Sequence, residues 1–145
     1  WNVWHRGEKS ANEEIGDVLS TTDDIYLVRP DGSDLHRVAS LRTSPEGAVF
    51  LGPQCWSSDS TRLVFSWAEA LGECTREWNT RWVQRGVTVL EVETGTLTQI
   101  VPPAAFDAGT WFDSSVSWAP NGEFVAFAAG PGGMHCGIYV ASTDT

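Results

Sequence analysis

Cysteine is the residue type in this sequence with the clearest covalent chemistry, and the chain has three: Cys55, Cys74 and Cys136. Cys74 and Cys136 follow the apolar residues Leu63 and Val125 by the same eleven positions. Cys74 and Cys136 therefore occupy equivalent positions in the sequence. We therefore expect a disulfide between two of the three, with the third free or paired outside the chain, as in an oxidising compartment. The alternative is three reduced thiols in a cytosolic protein.

Residues for catalysis or metal binding are present but scattered. The histidines, His5, His36 and His135, lie far apart in the sequence, and no Gly-x-Ser-x-Gly elbow or Cys-x-x-Cys pair occurs. The glycine-rich stretch 130–137 lacks the Gly-Lys-Ser/Thr ending of a phosphate-binding loop. We predict no catalytic residue, no metal site and no cofactor.

The charge balance restricts the partners. Nine Lys and Arg stand against nineteen Asp and Glu, for a net charge of −10 and a pI near 4.5. Nucleic acid is excluded as an expected partner, since phosphate binding requires clustered cations. The acidic segment 7–24 lacks the alternating ligands and central glycine of a calcium loop, which favours a solvated surface loop. The chain contains no run of eighteen apolar residues, so no transmembrane segment is predicted in it. Membrane association through an anchor or partner outside the chain stays an alternative.

One segment combines tryptophan with arginine, the residue types enriched at protein interfaces. The segment is 68–86, and it contains Trp78, Arg81, Trp82 and Arg85. It makes the loop between two predicted strands eleven residues longer than the equivalent loop later in the chain. The i,i+4 spacings fit one or two helical turns with both indoles on one face. We predict that these four residues contact a protein partner or an aromatic-stacking ligand. The alternative is that the insertion folds back over its own sheet.

The elements that must position these residues recur in the sequence. Gln54-Cys-Trp-Ser-Ser-Asp-Ser-Thr-Arg-Leu-Val-Phe-Ser66 matches a second stretch, Val116-Ser-Trp-Ala-Pro-Asn-Gly-Glu-Phe-Val-Ala-Phe-Ala128, sixty-two residues later. Each copy predicts a strand ending in tryptophan, a polar turn and a second strand. Trp56 and Trp118 are therefore expected in the core. Ser58 and Ser60 replace Pro120 and Gly122 in the first copy, which predicts a looser turn in the same register.

A second match has the same offset. Asp24-Ile-Tyr-Leu-Val-Arg-Pro-Asp-Gly-Ser-Asp-Leu-His-Arg-Val38 aligns with Gly86-Val-Thr-Val-Leu-Glu-Val-Glu-Thr-Gly-Thr-Leu-Thr-Gln-Ile100, and a shorter copy ends the chain at Gly137-Ile-Tyr-Val-Ala-Ser-Thr-Asp144. Each full copy predicts two strands joined by an acidic, glycine-containing turn. Two hairpins in each unit indicate four antiparallel strands per unit, repeated so that one sheet packs on the next.

The segments Ser117-Trp118-Ala-Pro-Asn-Gly122 and Ile25-Tyr-Leu-Val-Arg-Pro-Asp-Gly32 resemble the repeat of TolB-type β-propellers, relatives of the WD-repeat class. The resemblance covers nearly the whole chain apart from the loops. It implies an all-β fold of four-stranded antiparallel blades. About three blades are expected: 1–50 without its first strand, 51–103 complete with the long insertion 68–86, and 104–145 without its last strand. Since a propeller closes with typically four to eight blades, we expect a larger protein or an assembly of subunits.

The function that this resemblance implies is a non-catalytic, extracytoplasmic scaffold for protein–protein interaction or assembly, in the periplasm, at the cell surface or secreted. One alternative is part of the gating propeller of a prolyl-oligopeptidase-like serine peptidase, with the hydrolase domain elsewhere. A second alternative is a carbohydrate-binding propeller that uses some of the eight tryptophan rings.

Overall fold

The structure is a computed structural model that describes residues 2–7, 22–42, 49–52, 54–71, 81–105, 110–131 and 137–144. Regular structure in these ranges is β-strand apart from a single 3-10 turn, η1, at Pro103–Ala105. The prediction of an all-β chain of antiparallel sheets is confirmed. In the same ranges, no helix has the length and apolar character needed to cross a membrane.

The strands form three sheets. The first has the order β1-β2-β3, with β1 at Asn2–Gly7, β2 at Thr22–Val28 and β3 at His36–Arg42. The middle sheet contains β4 (Val49–Leu51), β5 (Cys55–Trp56), β6 (Arg62–Leu71), β7 (Arg81–Glu91) and β8 (Thr96–Val101). The third has the order β11-β10-β9, with β9 at Thr110–Trp118, β10 at Phe124–Pro131 and β11 at Gly137–Ser142.

The chain divides into two compact units. One contains Trp1–Phe50 and Glu69–Val83, and the other contains Leu51–Ala68 and Gln84–Thr145. The first unit includes the β1–β3 sheet, and the second includes the β9–β11 sheet together with most of the middle sheet.

Strand register repeats at the offset that the sequence predicts. Between β2 and β3, Ile25 lies opposite Ala39, and a bulge follows Ile25. Between β7 and β8, Val87 lies opposite Val101, and a bulge follows Val87. Both members of the second pair are sixty-two residues after those of the first. The alignment of these hairpins is therefore confirmed at the level of backbone pairing.

The tryptophan hairpins repeat in the same way. Trp56 lies opposite Leu63, and Trp118 lies opposite Val125. The Gly52 N–H also donates to the Ser66 carbonyl at 2.9 Å. Because β7 pairs with the other edge of β6, this bond places β4 and β5 one after the other along a single edge of β6.

The hydrophobic core of the second unit lies between the middle and third sheets. Its buried members are Val64, Val87, Val89, Val101, Val125, Phe127 and Ala129. The partly buried Trp118 packs against them, which agrees with its expected place in the core. Gly86 lies next to Val87 of this core, beside the bulge at Ile100 of β8. Its φ is +84°, and a Cβ atom there would lie 1.9 Å from the Val101 carbonyl oxygen. Only glycine fits there, because the obstructing atom belongs to the backbone.

The two tryptophan hairpins also share one turn geometry. The Ser60 N–H donates to the Ser57 carbonyl at 3.0 Å, and the Gly122 N–H donates to the Ala119 carbonyl at 2.9 Å. Ser60 adopts a φ of 61° where Gly122 has 73°. The first turn is therefore closed like the second, contrary to the looser turn expected from its serines. Its left-handed residue is a serine, a conformation that costs an L-residue about 1–2 kcal/mol.

Substitutions at Ser60 and Gly122 test the conformational cost of a serine in the left-handed region. We expect Ser60→Gly to raise the free energy of unfolding by about 0.5–1 kcal/mol. The substitution removes the strain energy of a left-handed serine, and this gain exceeds the entropic cost of ordering a glycine on folding. The reciprocal Gly122→Ser should lower it by about 1 kcal/mol for the same reason. Urea unfolding followed by tryptophan fluorescence measures both changes. Two shifts of the same sign would contradict the prediction.

Candidate interaction surface

The Trp/Arg cluster predicted as a partner site is only partly covered by the structure. Trp78 lies outside the described residues, and Arg81, Trp82 and Arg85 lie in strand β7. The prediction of helical turns is therefore wrong for Arg81–Arg85, because pairing with neighbouring strands prevails over the local i,i+4 spacing. The Arg85 side chain is half-buried, and its carbonyl accepts a hydrogen bond from Gln99 Nε2. Contact of these four residues with a partner stays a prediction.

The cysteines are described at one position. Cys55 has a free thiol, half-buried at the start of β5, whose Sγ lies 3.7 Å from the Trp56 carbonyl oxygen. Cys74 and Cys136 lie outside the described residues. The predicted disulfide between two of the three cysteines stays a prediction.

Polar side chains buried in the described ranges have structural partners. The buried carboxylate of Asp24 accepts hydrogen bonds from Ser40 Oγ and, at 3.5 Å, from Arg37. His36 Nδ1 lies 2.9 Å from the Asp34 carbonyl oxygen in an exposed turn. Across the part of the chain that the structure describes, no three His, Cys, Asp or Glu side chains form a group able to hold a metal ion.

An exposed apolar surface lies on the third sheet. Strand alternation directs Val125, Phe127 and Ala129 into the core and the intervening residues of β10 to the opposite face. Pairing places Val140 beside Ala126, and Ile138 beside Ala128. We call this surface the outer face: it consists of Phe124, Ala126, Ala128, Ile138 and Val140. Its large members are exposed to 42% at Phe124, 76% at Ile138 and 66% at Val140.

The equivalent surface of the middle sheet is buried. Val64 occupies the position of Ala126, and Val87 and Val89 occupy the positions of Ile138 and Val140. Val87 is 0% exposed and Val89 5%, because that face packs on the third sheet. The outer face therefore has the residue types of a sheet-packing surface. In the described residues its large members Phe124, Ile138 and Val140 are open to solvent, whereas Ala126 is half-buried and Ala128 is buried.

The opposite side of β11 carries Tyr139. Its ring stacks on the buried Phe127 with ring centroids 5.8 Å apart, and 42% of Tyr139 is exposed to solvent. The strand β11 therefore directs Tyr139 inward and Ile138 and Val140 outward.

Polar contacts fix the middle and third sheets against each other within the second unit. The Trp118 indole Nε1 donates to the Cys55 carbonyl at 2.9 Å, and the Arg62 guanidinium lies 4.6 Å from the centroid of the Trp118 ring. Arg62 also donates to the Gly122 carbonyl at 3.1 Å. A guanidinium over an indole face contributes about 0.5–2 kcal/mol, depending on desolvation. These contacts join equivalent hairpins of successive repeats.

Sequence reasoning missed the outer face. The stretch Ile138-Tyr139-Val140 resembles Ile25-Tyr26-Leu27, in which Ile25 and Leu27 are buried, so the pattern predicts core residues. Alternation shows that Ile138 and Val140 share a face. Whether a second sheet covers that face depends on tertiary packing, for which the sequence carries no local signal.

The turn of the first tryptophan hairpin contains a perturbed carboxyl group. Asp59 accepts hydrogen bonds from Ser57 Oγ at 2.6 Å, from the Thr61 N–H at 3.1 Å and from Thr61 Oγ1 at 2.8 Å. These bonds favour the ionised form, the Ser57 bond most, and lower the pKa of Asp59 from 3.8 to about 2.

Comparison with known proteins gives little similarity in sequence. No family model matches the chain, and no curated protein matches it. Among solved structures, the chain is similar to an oligogalacturonate lyase in complex with manganese, with 14% sequence identity and a TM-score of 0.48. The similarity covers 85% of this chain and 29% of the lyase chain, so this chain spans less than a third of that protein. The lyase activity and the manganese belong to that protein.

The pKa of Asp59 predicts a pH dependence. Because its folded pKa, about 2, is below its ordinary value of 3.8, the stability that Asp59 contributes is present above about pH 4 and is lost as the pH falls toward 2. We expect Asp59→Asn to be less stable than the parent at pH 7, with the difference shrinking between pH 4 and pH 2. Urea midpoints measured at intervals across this range test it. Parallel pH profiles of the two proteins would contradict the assignment.

Proposed function

We propose that this chain is a portion of a TolB-like β-propeller that acts as a non-catalytic scaffold for protein–protein interaction and assembly. On this interpretation the middle sheet is a complete blade, in which β4 and β5 together form the first strand and β6, β7 and β8 the other three. The β1–β3 sheet corresponds to strands two to four of a blade, and the β9–β11 sheet to strands one to three. Repetition of the register and of the bulge supports this interpretation.

The observation that carries the proposal is the exposed outer face. A face with Ile138 and Val140 exposed is of the kind that marks protein interaction sites. The same positions of the middle sheet, Val87 and Val89, are buried by a neighbouring sheet. The outer face therefore favours a partner that supplies an apolar β-sheet surface, which is how one repeat unit assembles with the next.

Charge favours a protein over a nucleic acid as that partner. The net charge of −10 repels phosphate, whereas the outer face has no ionisable side chain. Binding to this face therefore depends mainly on the burial of apolar area, at about 25 cal/mol per Å².

Self-association of the chain tests the proposal. We expect sedimentation velocity to show association that increases with protein concentration, because the outer face is an apolar surface that is open in the described residues. Val140→Lys and Ile138→Lys should each weaken this association about tenfold or more, since a buried unpaired ammonium opposes packing. Both positions are exposed, so the substitutions should leave the unfolding free energy within about 0.5 kcal/mol of the parent.

Leu35→Lys is the matched control. Leu35 is also an exposed large apolar residue, but it lies between β2 and β3 and is not part of the outer face. This variant should associate like the parent. A chain that remains monomeric at every concentration, or an equal effect of Leu35→Lys, would refute the outer face as the assembly surface.

The proposed location is extracytoplasmic: periplasm, cell surface or exterior. It is supported by Cys74 and Cys136, which lie at equivalent repeat positions and, with Cys55 free, are the candidate pair for a disulfide. We expect intact mass after alkylation in denaturant to show one adduct without reduction and three after reduction. Three adducts without reduction would contradict an oxidised pair and favour the reduced, cytosolic alternative.

A further inference from the structure

We infer that Asn121 is a chemical modification site of this protein, at which the side-chain amide is lost through attack by the protein's own backbone. Opening of the turn that contains Asn121 controls this deamidation. Water is the only co-reactant. The turn consists of residues 119–122 of the second tryptophan hairpin and does not belong to the outer face, so the inference is independent of the proposed scaffold function.

Asn121 is followed by glycine, the residue type that hinders this reaction least. The backbone nitrogen of the following residue attacks Cγ of the asparagine side chain, and a side chain on that following residue obstructs the approach. Glycine has no Cβ atom, so its backbone can approach closely. The other asparagines, Asn2, Asn12 and Asn79, precede valine, glutamate and threonine. Asn121 is therefore the asparagine for which the sequence predicts the fastest reaction.

The reaction balances with water as its only co-reactant. The Gly122 nitrogen gives its proton to hydroxide from the solvent and forms a bond to Cγ of Asn121. The bond between Cγ and Nδ2 then breaks, and the departing nitrogen takes a proton from water and leaves as ammonia. Water next opens the resulting succinimide ring at one of its two carbonyl carbons. One opening gives aspartate, and the other gives isoaspartate, in which the backbone passes through Cβ and Cγ.

Hydrogen bonds fix both reacting groups in the folded turn. The Gly122 N–H donates to the Ala119 carbonyl at 2.9 Å. Asn121 Oδ1 accepts the Glu123 N–H at 3.2 Å, and Asn121 Nδ2 donates to Glu123 Oε2 at 2.6 Å. The attack requires a free Gly122 nitrogen and rotation of the Asn121 side chain, so these bonds must break first. The folded turn therefore opposes the reaction, although Asn121 itself is exposed to solvent.

Two donors outside the turn also oppose its opening. The Gly122 carbonyl accepts hydrogen bonds from Arg62 at 3.1 Å and from Thr143 Oγ1 at 3.0 Å. Arg62 belongs to the preceding tryptophan hairpin and also lies over the Trp118 ring. Opening of the turn is therefore coupled to the contact between successive repeats, and removal of one donor should make opening more frequent.

The first tryptophan hairpin shows how the two products differ. Asp59 is the counterpart of Asn121, and it accepts the Thr61 N–H at 3.1 Å as Asn121 accepts the Glu123 N–H. Aspartate at position 121 therefore keeps the backbone bond of the turn. Isoaspartate adds one main-chain carbon before Gly122, which displaces the Gly122 carbonyl from its two donors outside the turn. Only the isoaspartyl product breaks the contact with the preceding repeat.

Deamidation rates of the full chain, folded and in urea, test the inference. Samples held at mildly alkaline pH are digested at intervals, and mass spectrometry of the peptides measures the converted fraction of each asparagine. In urea, Asn121 should react fastest, and a faster reaction at another asparagine would overturn the choice of site. We expect Asn121 to react about tenfold or more slowly in the folded chain than in urea, because the turn opens only locally and transiently.

Hydrogen exchange of the Gly122 amide measures the opening independently. The Gly122 N–H must leave the Ala119 carbonyl both for exchange and for deamidation. Folding should therefore slow deamidation at least as much as it slows exchange of this amide. Deamidation that folding slows less than exchange would overturn the inference, since Asn121 would then react in the closed turn.

Thr143→Val is the variant that weakens the turn. It removes the hydroxyl group that donates to the Gly122 carbonyl and keeps a β-branched side chain. Loss of this bond should accelerate deamidation of the folded chain about threefold or more and leave the rate in urea unchanged.

Thr94→Val is the matched control. Thr94 Oγ1 bonds to Thr96 in the turn between β7 and β8. This variant should deamidate like the parent. Equal folded-state rates for Thr143→Val and the parent, or an equal acceleration by Thr94→Val, would overturn control by this turn.

The separated products test the structural consequence. The isoaspartyl protein and the variant Asn121→Asp have the same charge and differ only in the path of the backbone. We expect the isoaspartyl protein to unfold at a lower urea concentration, because its Gly122 carbonyl loses the bonds from Arg62 and Thr143. Equal urea midpoints for the two proteins would overturn this loss of contact.

Discussion

Burial of one apolar sheet face against another is the constraint on which the described fold of the second unit depends. Val64, Val87 and Val89 from the middle sheet meet Val125 and Phe127 from the third. A fully buried side chain of this size contributes about 1.5–3 kcal/mol. A single hydrogen bond contributes about 0.5–1.5 kcal/mol net. The core therefore supplies most of the stabilisation, and the polar contacts around it mainly determine alignment.

Alignment matters because strand side chains alternate. A slip of one residue between β9 and β10 would move Val125 and Phe127 from the core to solvent. The turn hydrogen bond from the Gly122 N–H to the Ala119 carbonyl and the register shift between Phe127 and Ala129 fix this pairing. In the other hairpins the bulges after Ile25 and after Val87 recur at the same place in the repeat. The indole of Trp118, bonded to the Cys55 carbonyl, adds a directional contact between successive repeats. The strand register therefore determines which residues are packed in the core.

The same alternation produces the surface on which the functional proposal is based. A strand cannot present apolar residues to one neighbour without directing its other residues away, and in β11 those other residues are Ile138 and Val140. In β7 the equivalent residues are covered by the third sheet. The scaffold that we propose extends by repeating one interface, and the outer face has the exposed apolar residues that such an interface requires.

Sequence alone determined the repeat, the all-β class and the equivalence of hairpins sixty-two residues apart. These follow from local turn chemistry and apolar alternation, which are visible in the residues Trp56, Trp118, Ile25 and Val87 themselves. Two local predictions were wrong: a helical turn at Arg81–Arg85, where strand pairing prevails over i,i+4 spacing, and a loose turn at Ser60, where Asp59 supplies hydrogen bonds within the turn. Only the tertiary structure decided that Val87 is buried and Ile138 exposed. Burial depends on whether a second sheet covers a face, and the apolar alternation that the two strands share does not state which of them is covered.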